Sequence, residues 1–517
     1  MQPNRQLVPK IYKRMKKLRS KIKSFIGNKW LPCTFCTLVA GGYLPNLVHA
    51  ETQPRLEIHT LAIKPGPIPN SFEQLRVTEL ADNLIKHLEQ AVQWIDRPHE
   101  NLSLTALAPK IRSAVSTHPE VRLSIEQRAT AALETREAYS GFFPQITASV
   151  EAGKRRNSAV TTPWNHVPAY DDSSKALALT AQQLVYDFGA LSFQLDALAA
   201  KERSAGANSE LKISELALRA VISWLEMFRA RQILLLAEMN VLSRRQIMTF
   251  IEERERLGGS SKSDVLRARA RLADAQVSVT EAMIKIDSAE AGYREIFNEA
   301  PPTNIRLPRL PELAILRYDD LNYSFDRSPQ FAQAKAQTEA AELEAKSAAA
   351  ALKPTIYFDV TARRRDLGGQ STPGTDWTAG FVVRQNLYSG GSGLARKKQA
   401  DQRAAEARLS QENVKRQLER IYAQGLADVK NQVATVAARK EAAEVAAVAL
   451  EAVREQFAFR RGSLLDLLRA QEELYIAGRQ FIDGIVDASQ AHYRLLHLTM
   501  ELNELFEIPP ASTLNSK

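Results

Sequence analysis

The chain has 517 residues, of which 44% are apolar and 25% are charged. This composition excludes simple disorder and a polytopic helical membrane protein, and it is ample for several packed layers. The net charge is +10, but residues 1–50 carry ten Lys and Arg and no Asp or Glu, so residues 51–517 hold 59 basic and 59 acidic residues. This balance argues against nucleic-acid binding.

The basic N-terminal stretch is followed by an apolar run from Trp30 to Val48, which Pro and Gly interrupt, and then by His49-Ala50. This order predicts a secretory signal peptide over residues 1–50 with cleavage after Ala50. The alternative is a membrane anchor, for which Pro and Gly make a poor spanning helix. Both cysteines, Cys33 and Cys36, lie inside this stretch, so the mature chain would have no thiol, and neither is in a lipid-anchor context.

The rest of the chain repeats itself. Pro119 and Pro144 are 25 residues apart, and so are Pro329 and Pro354, which lie 210 positions later. Residues 183–189 and 385–391 match at an offset of 202, as do residues 264–268 and 466–470. The difference of eight residues falls in a loop, which spans 156–174 in the first copy and 366–375 in the second. The sequence therefore predicts one duplicated unit.

Each copy has the predicted order helix, strand, loop, strand, long helix, helix. After Pro144 and Pro354, apolar and polar residues alternate, which indicates half-exposed strands, and we expect partner strands at about Lys175–Tyr186 and Asp376–Tyr388. Residues 190–257 and 394–458 contain no proline and have apolar residues at helical spacing, which predicts helices of ~100 Å. In the first of these helices, ten positions between 211 and 242 are three or four residues apart and form a seam along one face. Eight of the ten are apolar.

Four strands in one chain are too few to close a membrane barrel. Strands of about ten residues match the apolar thickness of an outer membrane. An open sheet edge is not tolerated in lipid, so several chains must contribute to one barrel. Three chains would supply twelve strands, an even number within the bacterial range.

These features resemble the TolC-like outer-membrane factors of type I secretion and tripartite efflux. The resemblance covers about residues 101–508. It rests on the pair of prolines 25 residues apart that occurs in both copies, on residues 387–391 with their counterpart at residues 185–189, and on residues 461–470. It implies a mainly α fold with a membrane β-barrel. Four strands from each chain of a homotrimer would form a 12-stranded barrel in the outer membrane, continuous with an α-helical coiled-coil barrel in the periplasm.

The resemblance also implies partners and a domain plan. The partners would be a periplasmic adaptor (a membrane fusion protein), an inner-membrane ABC or proton-driven pump, and outer-membrane lipid. The predicted segments are the signal peptide (1–50), an N-terminal periplasmic extension (51–100), a first repeat (101–297), an equatorial linker (298–322), a second repeat (323–508) and a C-terminal tail (509–517).

In the family, the helical hairpin tips form the closed periplasmic entrance. Asp264 and Asp466 match the tip aspartates, and a ring of carboxylates in a narrow pore would attract cations. Ser261-x-x-Asp264 and Ser463-x-x-Asp466 also fit capping boxes, which alone would explain both carboxylates. Both roles can coexist.

Three positions depart from the family pattern at the tip. Arg469 replaces a second acidic residue, which puts a doubled acidic ring in doubt. Gly462 takes the place of the gate arginine, although the neighbouring Arg460 and Arg461 could link to Asp264. Phe457 stands near the gate tyrosine, so that hydrogen bond would be absent. Solvated surface is the alternative role for Arg460 and Arg461.

Other candidate positions are weaker. Tyr186, Trp377 and Tyr388 could be interfacial aromatics of the barrel, with packing at strand ends as the alternative. His492 and His497 are five residues apart, which is poor spacing for two metal ligands on one helical face. With no nucleophile or phosphate-loop motif, we expect no metal, no cofactor and no enzyme activity.

The predicted function is therefore a passive outer-membrane exit duct. Type I secretion of protein or peptide is favoured over small-molecule efflux, because the lipid-anchor cysteine common among efflux members is missing. The alternative from another class is a periplasmic adaptor or structural coiled-coil protein. An adaptor would have one helical hairpin, whereas this sequence predicts two hairpins and two strand pairs.

Overall fold

The computed structural model describes residues 102–167, 170–308, 325–365, 374–459 and 461–514. The predicted signal peptide with its cleavage after Ala50, the predicted extension 51–100, and Arg460 all lie outside the described residues.

Two helices precede the first strand, α1 (Leu102–Thr117) and α2 (Pro119–Tyr139). His118 caps α2, because its Nδ1 accepts a hydrogen bond from the Glu120 amide at 3.3 Å. Pro119 takes the first helical position, where its missing N–H is no loss. A short 3₁₀ turn, Ser140–Phe142, then leads into the sheet.

The helical part consists mainly of two long hairpins. The first joins α3 (Ala190–Arg256) to α4 (Lys262–Phe297), and after α5 (Pro329–Ala350) the second joins α6 (Ser392–Ala458) to α7 (Leu464–Leu498). Short helices α8 (Glu501–Leu505) and α9 (Ala511–Leu514) follow. Helices α3 and α6 each have 67 residues, so each is ~100 Å long. The predicted long helices are confirmed.

The strands form one four-stranded antiparallel sheet in the order β1-β4-β5-β6. The pairing of β4 with β5 joins the two halves of the chain in a single sheet. The strands are β1 (Gln145–Asn157), β4 (Tyr170–Tyr186), β5 (Thr355–Arg365) and β6 (Gly374–Arg384), with a small hairpin of β2 (Val160–Thr162) and β3 (Asn165–Val167) between β1 and β4. The prediction of four main strands per chain is confirmed.

Two details of the strand prediction were wrong. The predicted loop 156–174 instead contains β2, β3 and the ends of β1 and β4, because the β-branched run Val160-Thr161-Thr162 pairs across a tight turn. Strand β6 ends at Arg384 and not at Tyr388. Arg384 pairs with Thr355, and the preceding Pro354 has no N–H with which to continue the ladder.

The main core lies between α3 and α7. Helix α3 is also covered by α2, α4 and α5, so its buried residues extend around more of its circumference than the single predicted seam. Leu235 and Leu242, two of the seam positions, are 37% and 42% exposed in the single chain. The prediction of a single buried seam on α3 was therefore only partly right, because several helices pack around α3.

The first part of the predicted linker lies against α3. The indole Nε1 of Trp224 donates to the Arg306 carbonyl oxygen at 2.8 Å, and the Arg231 guanidinium donates to the Thr303 carbonyl oxygen at 2.9 Å. Ile305 and Leu307 are buried in the same core. Residues 298–308 therefore pack on the outside of the long helix.

Candidate functional site at the hairpin tips and the sheet

The first hairpin tip is built around Ser261 and Asp264. The Asp264 amide donates to Ser261 Oγ at 3.2 Å, and the Ser261 amide donates back to Asp264 Oδ2 at 3.2 Å. These bonds complete the predicted capping box of α4. The hydrogen bonds from the Ser261 hydroxyl and amide hold the pKa of Asp264 below its usual value, and Arg267 lies 3.9 Å away.

The second hairpin tip has the same plan with one bond fewer. Ser463 caps α7, because its Oγ accepts from the Asp466 amide at 3.2 Å and donates to Asp466 Oδ2 at 2.7 Å. At the end of α6, the amides of Arg461 and Gly462 both donate to the Gln456 carbonyl oxygen, at 2.9 and 3.1 Å. A Cβ at Gly462 would lie 3.1 Å from the backbone nitrogen of Phe457, so a side chain there requires a backbone shift.

The other predicted tip residues that the structure describes do not pair with the aspartates. Arg461 and Arg469 are exposed, and among the described residues neither forms an ion pair with Asp264 or Asp466. Phe457 is a core residue, packed edge to face on Phe250 at 6.0 Å, with the Arg254 guanidinium 5.4 Å above its ring. Phe457, predicted to stand near the family's gate tyrosine, thus packs α6 against α3.

The sheet has one apolar and one polar face. The apolar face carries residues that are opposite one another in register, such as Val150 with Leu177 and Val360 with Ala379. Several of them are largely exposed in the single chain, including Val150 at 76% and Phe381 at 70%. An exposed apolar face of this kind fits contact with lipid.

The polar face carries a network of charged side chains. Asp359 accepts from Gln182 Nε2 at 2.9 Å and pairs with Arg384 at 3.3 Å. Nearer the strand ends that meet the loops, Arg363 pairs with Glu151 at 2.8 Å and Arg365 with Asp376 at 2.7 Å. A polar face of this kind fits the wall of a water-filled channel.

The predicted interfacial aromatics lie at opposite ends of the sheet. Trp377 is opposite Ala362 near the loops, and Tyr186 is opposite Ile356 near the helices. Along β5 these levels are six residues apart, or about 20 Å. Tyr388 is 86% exposed and lies just beyond the sheet, at the end where the helices begin.

An aromatic group at the helix end of the sheet was missed by the sequence analysis. Tyr139 contacts the rings of Phe142 and Phe143 at 5.9 and 5.6 Å, and Phe188 lies 4.7 Å from the ring of Tyr186. All are partly exposed in the single chain. The available signal was the concentration of aromatic residues next to Pro144 and Gly189, where a strand meets a helix.

A second feature missed from the sequence is a set of polar contacts between α3 and α7. Arg244, whose side chain is 1% exposed, donates to Glu472 at 2.5 Å, and burial lowers the pKa of this guanidinium. Beside it, Gln471 donates to Ser243 at 2.6 Å. Gln471 interrupts the apolar spacing of α7, and that interruption was the available signal.

Comparisons with known proteins agree with this geometry. Residues 322–499 match the family described as outer membrane efflux protein. The outer membrane efflux protein BepC of Brucella suis biovar 1 is 25% identical over 289 residues, which span 54% of this chain and 62% of BepC. The second half of this chain is thus similar to the TolC-like outer membrane efflux proteins.

The fold of this chain matches solved structures of low sequence identity. A membrane protein from Pseudomonas aeruginosa has a TM-score of 0.70 and 18% identity, over 77% of this chain and 93% of that one. The Campylobacter jejuni CmeC outer membrane channel has a TM-score of 0.69 and 13% identity, over 76% and 85%. The predicted TolC-like fold is confirmed.

The match to the outer membrane efflux protein family supports the predicted outer-membrane location, with the helical portion in the periplasm. In the described residues, no helix is long and apolar enough to cross a membrane. The same residues include no cluster of three or more potential metal ligands. His497 is instead half-buried against α3, where its Nδ1 lies 2.8 Å from Ser214 Oγ.

Proposed function

We propose that this protein is the outer-membrane exit duct of a tripartite export system. Three copies would form a passive channel, and an inner-membrane ABC or proton-driven pump would supply the energy through a periplasmic adaptor. The observation that carries this proposal is the four-stranded sheet, which has one apolar face, one polar face and two unpaired edges, β1 and β6. The match of residues 322–499 to the outer membrane efflux protein family supports the same proposal.

The sheet geometry favours closure by copies of the same chain. Unpaired backbone groups are too costly in lipid, so β6 of one copy would pair with β1 of the next. Three copies then give a barrel of twelve strands. The long helices α3 and α6 start a few residues after β4 and β6, at Gly189 and Gly391 in left-handed conformation, so the helical wall would continue directly from the barrel.

We place the gate of the duct at the hairpin tips, with Asp264 and Asp466 as its acidic groups. Three copies would bring six carboxylates towards one axis. Capping explains the position of each aspartate, but it leaves their charge free to act on passing ions. Arg461 and Arg469 are exposed beside them, which would weaken the cation preference of such a gate.

Two cargo classes fit the proposed duct. Type I secretion of protein or peptide is favoured by the sequence, in which no cysteine follows the predicted signal peptide. Small-molecule efflux is favoured by the description of the relative BepC as an efflux protein. Deleting the gene tests the choice: loss of a secreted protein with unchanged resistance to dyes and detergents supports the first class, and the reverse result supports the second.

Two adjacent positions on β4 test the duct itself. Ala181 lies on the apolar face opposite Val360, about midway between the levels of Trp377 and Tyr186, whereas Thr180 lies on the polar face, 3.4 Å from Thr361. A Lys in the lipid-facing band costs about 2–4 kcal/mol at mid-membrane, so Ala181→Lys should block insertion into planar bilayers. Thr180→Lys should insert, conduct and shift ion selectivity towards anions. Equal insertion of both variants, or no conductance from the wild-type protein, would contradict the duct.

A further inference from the structure

Three basic residues form a row on the apolar face of the sheet, at the end where the strands meet the loops. The row consists of Lys154 on β1, Lys175 on β4 and Arg364 on β5. Lys175 is opposite Ala152, and Arg364 is opposite Leu177, so each basic residue is a diagonal neighbour of the next. Diagonal neighbours in a sheet are about 7–8 Å apart, so this cationic row covers roughly 15 Å.

The charge balance of the cationic row differs from that of the opposite face. At the same level on the polar face, Arg363 is paired with Glu151 and Arg365 with Asp376. No carboxylate among the side chains that the structure describes pairs with a member of the row, and all three members are exposed. Like charges repel, so an external anion bound among these three side chains would relieve their repulsion.

The position of the row relative to the apolar band indicates where that anion would be. Trp377 is opposite Ala362, which lies two residues before Arg364 on the same face of β5. Trp is the residue that commonly marks the boundary between hydrocarbon and headgroups. In the proposed barrel, the row would therefore lie at headgroup level in the leaflet on the loop side, facing the lipid.

We infer that Lys154, Lys175 and Arg364 bind the phosphate groups of a phosphorylated glycolipid in the outer leaflet of the outer membrane. This inference rests on the proposed function, because only a membrane-inserted barrel brings the apolar face to lipid. Arg364 supplies a planar donor group suited to phosphate, and the two lysines supply point charges. A trimer would carry three such rows around its circumference.

The test uses the full-length trimer in phosphatidylcholine nanodiscs and a fluorescent, bisphosphorylated lipid A as the probe. Each basic residue next to an anionic lipid surface contributes about five-fold to affinity. The triple variant K154Q/K175Q/R364Q should therefore bind lipid A roughly 100-fold more weakly than the wild type. The control variant K397Q/R416Q/K440Q removes the same charge from partly exposed positions on α6 and should bind like the wild type.

Further probes separate the sources of the anion. Dephosphorylated lipid A should bind as weakly to the wild type as lipid A does to the triple variant, and phosphatidylglycerol should bind less tightly than lipid A. Equal binding of phosphorylated and dephosphorylated lipid A, or displacement of lipid A by millimolar inorganic phosphate, would overturn the inference. Conductance is measured on the same samples. If the wild-type protein conducts but does not prefer lipid A, only the inference about the cationic row is refuted. If the wild-type protein does not conduct, the proposed exit duct is refuted.

Discussion

The two hairpins have the same lengths but opposite patterns of burial. In the first hairpin the long helix α3 has 21 buried residues and α4 has 6, whereas in the second hairpin the long helix α6 has 8 and the shorter α7 has 19. Helices α3 and α7 therefore form the core pair of the chain, and α4 and α6 form the flanking pair. Duplicated segments have acquired different roles in packing.

The flanking pair leaves large apolar side chains exposed in the single chain. Four lie on α4 and five on α6, and they are 54–71% exposed (Leu266, Val277, Met283, Ile284, Leu394, Leu409, Val433, Val445 and Val448). Exposed apolar side chains in such numbers mark a surface that another element covers. In the proposed trimer, α4 of one copy and α6 of the next would cover each other.

The largest expected effect is in the core pair. Trp224 is 3% exposed, donates to the Arg306 carbonyl oxygen and packs against Tyr293 at 6.3 Å. Trp224→Ala should cost about 3–5 kcal/mol, because it leaves a large cavity and an unpaired carbonyl. Thermal melting followed by circular dichroism checks this. Leu266→Ala on the flanking pair is the control, and equal losses from both variants would contradict the division into core and flank.

A second prediction concerns the ion pair between α3 and α7, in which Arg244 is buried and Glu472 is partly exposed. Glu472→Ala should cost about 3 kcal/mol, because it leaves the guanidinium of Arg244 buried without its carboxylate. The double variant Arg244→Met with Glu472→Gln should recover most of this loss, since no buried charge remains. Thermal melting of both variants distinguishes the effects. A double variant no more stable than Glu472→Ala would mean that the pair itself, and not the unpaired charge, matters.

Substitutions on the flanking pair should weaken assembly of the trimer and leave the fold of the single chain intact. Ile284→Asp and Val448→Asp each place a carboxylate on a surface that the proposed trimer buries, which costs roughly 100-fold in trimer affinity. Light scattering of the detergent-solubilised protein measures the oligomer, and circular dichroism measures the helix content. A stable trimer with both substitutions would show that these residues face solvent or lipid.

Substitutions at the hairpin tips should have a smaller effect on stability but should change conductance through the channel. Replacing Asp264 and Asp466 together by Ala should raise single-channel conductance, because it removes the proposed acidic gate. It should also lose about 0.5–2 kcal/mol per helix cap. Ser261→Ala with Ser463→Ala is the matched control, since it weakens both caps but keeps both carboxylates. Equal conductance in the two double variants would leave the aspartates with capping alone.

The smallest expected effect is a pH dependence from Asp264. Its pKa is lowered in the folded protein by hydrogen bonds from Ser261. Its contribution to stability is therefore present above the pKa of the unfolded chain and is lost as the pH falls through the lower folded value. Acid melting curves should show a shallower loss for Ser261→Ala than for the wild type. Identical acid profiles would mean that the cap contributes nothing measurable.

Much of the fold could be predicted from local patterns. The proline-free runs with helical spacing located α3 and α6 to within two residues at each end, since helix propensity and periodicity act along one segment. The serines at 261 and 463 located the starts of α4 and α7, because a cap depends on residues three positions apart.

The rest depended on contacts between distant segments. The choice of α3 and α7 as the core pair could not be predicted, because α6 also has apolar residues at helical spacing and burial depends on which neighbours pack. Arg244 and Glu472 are 228 residues apart, so nothing local links them. At the tip, the departure at Phe457 was visible in the sequence, but its packing on Phe250 required the fold.

The most direct test of the central claim is electron microscopy of the detergent-purified mature protein. A helix of 67 residues and strands of about ten residues predict a particle ~130 Å long. We expect a hollow tube with three-fold symmetry, in which α3, α4, α6 and α7 of each copy form the wall. A compact particle, or a solid helical rod without a lumen, would contradict the exit duct and favour the adaptor or structural coiled-coil alternative.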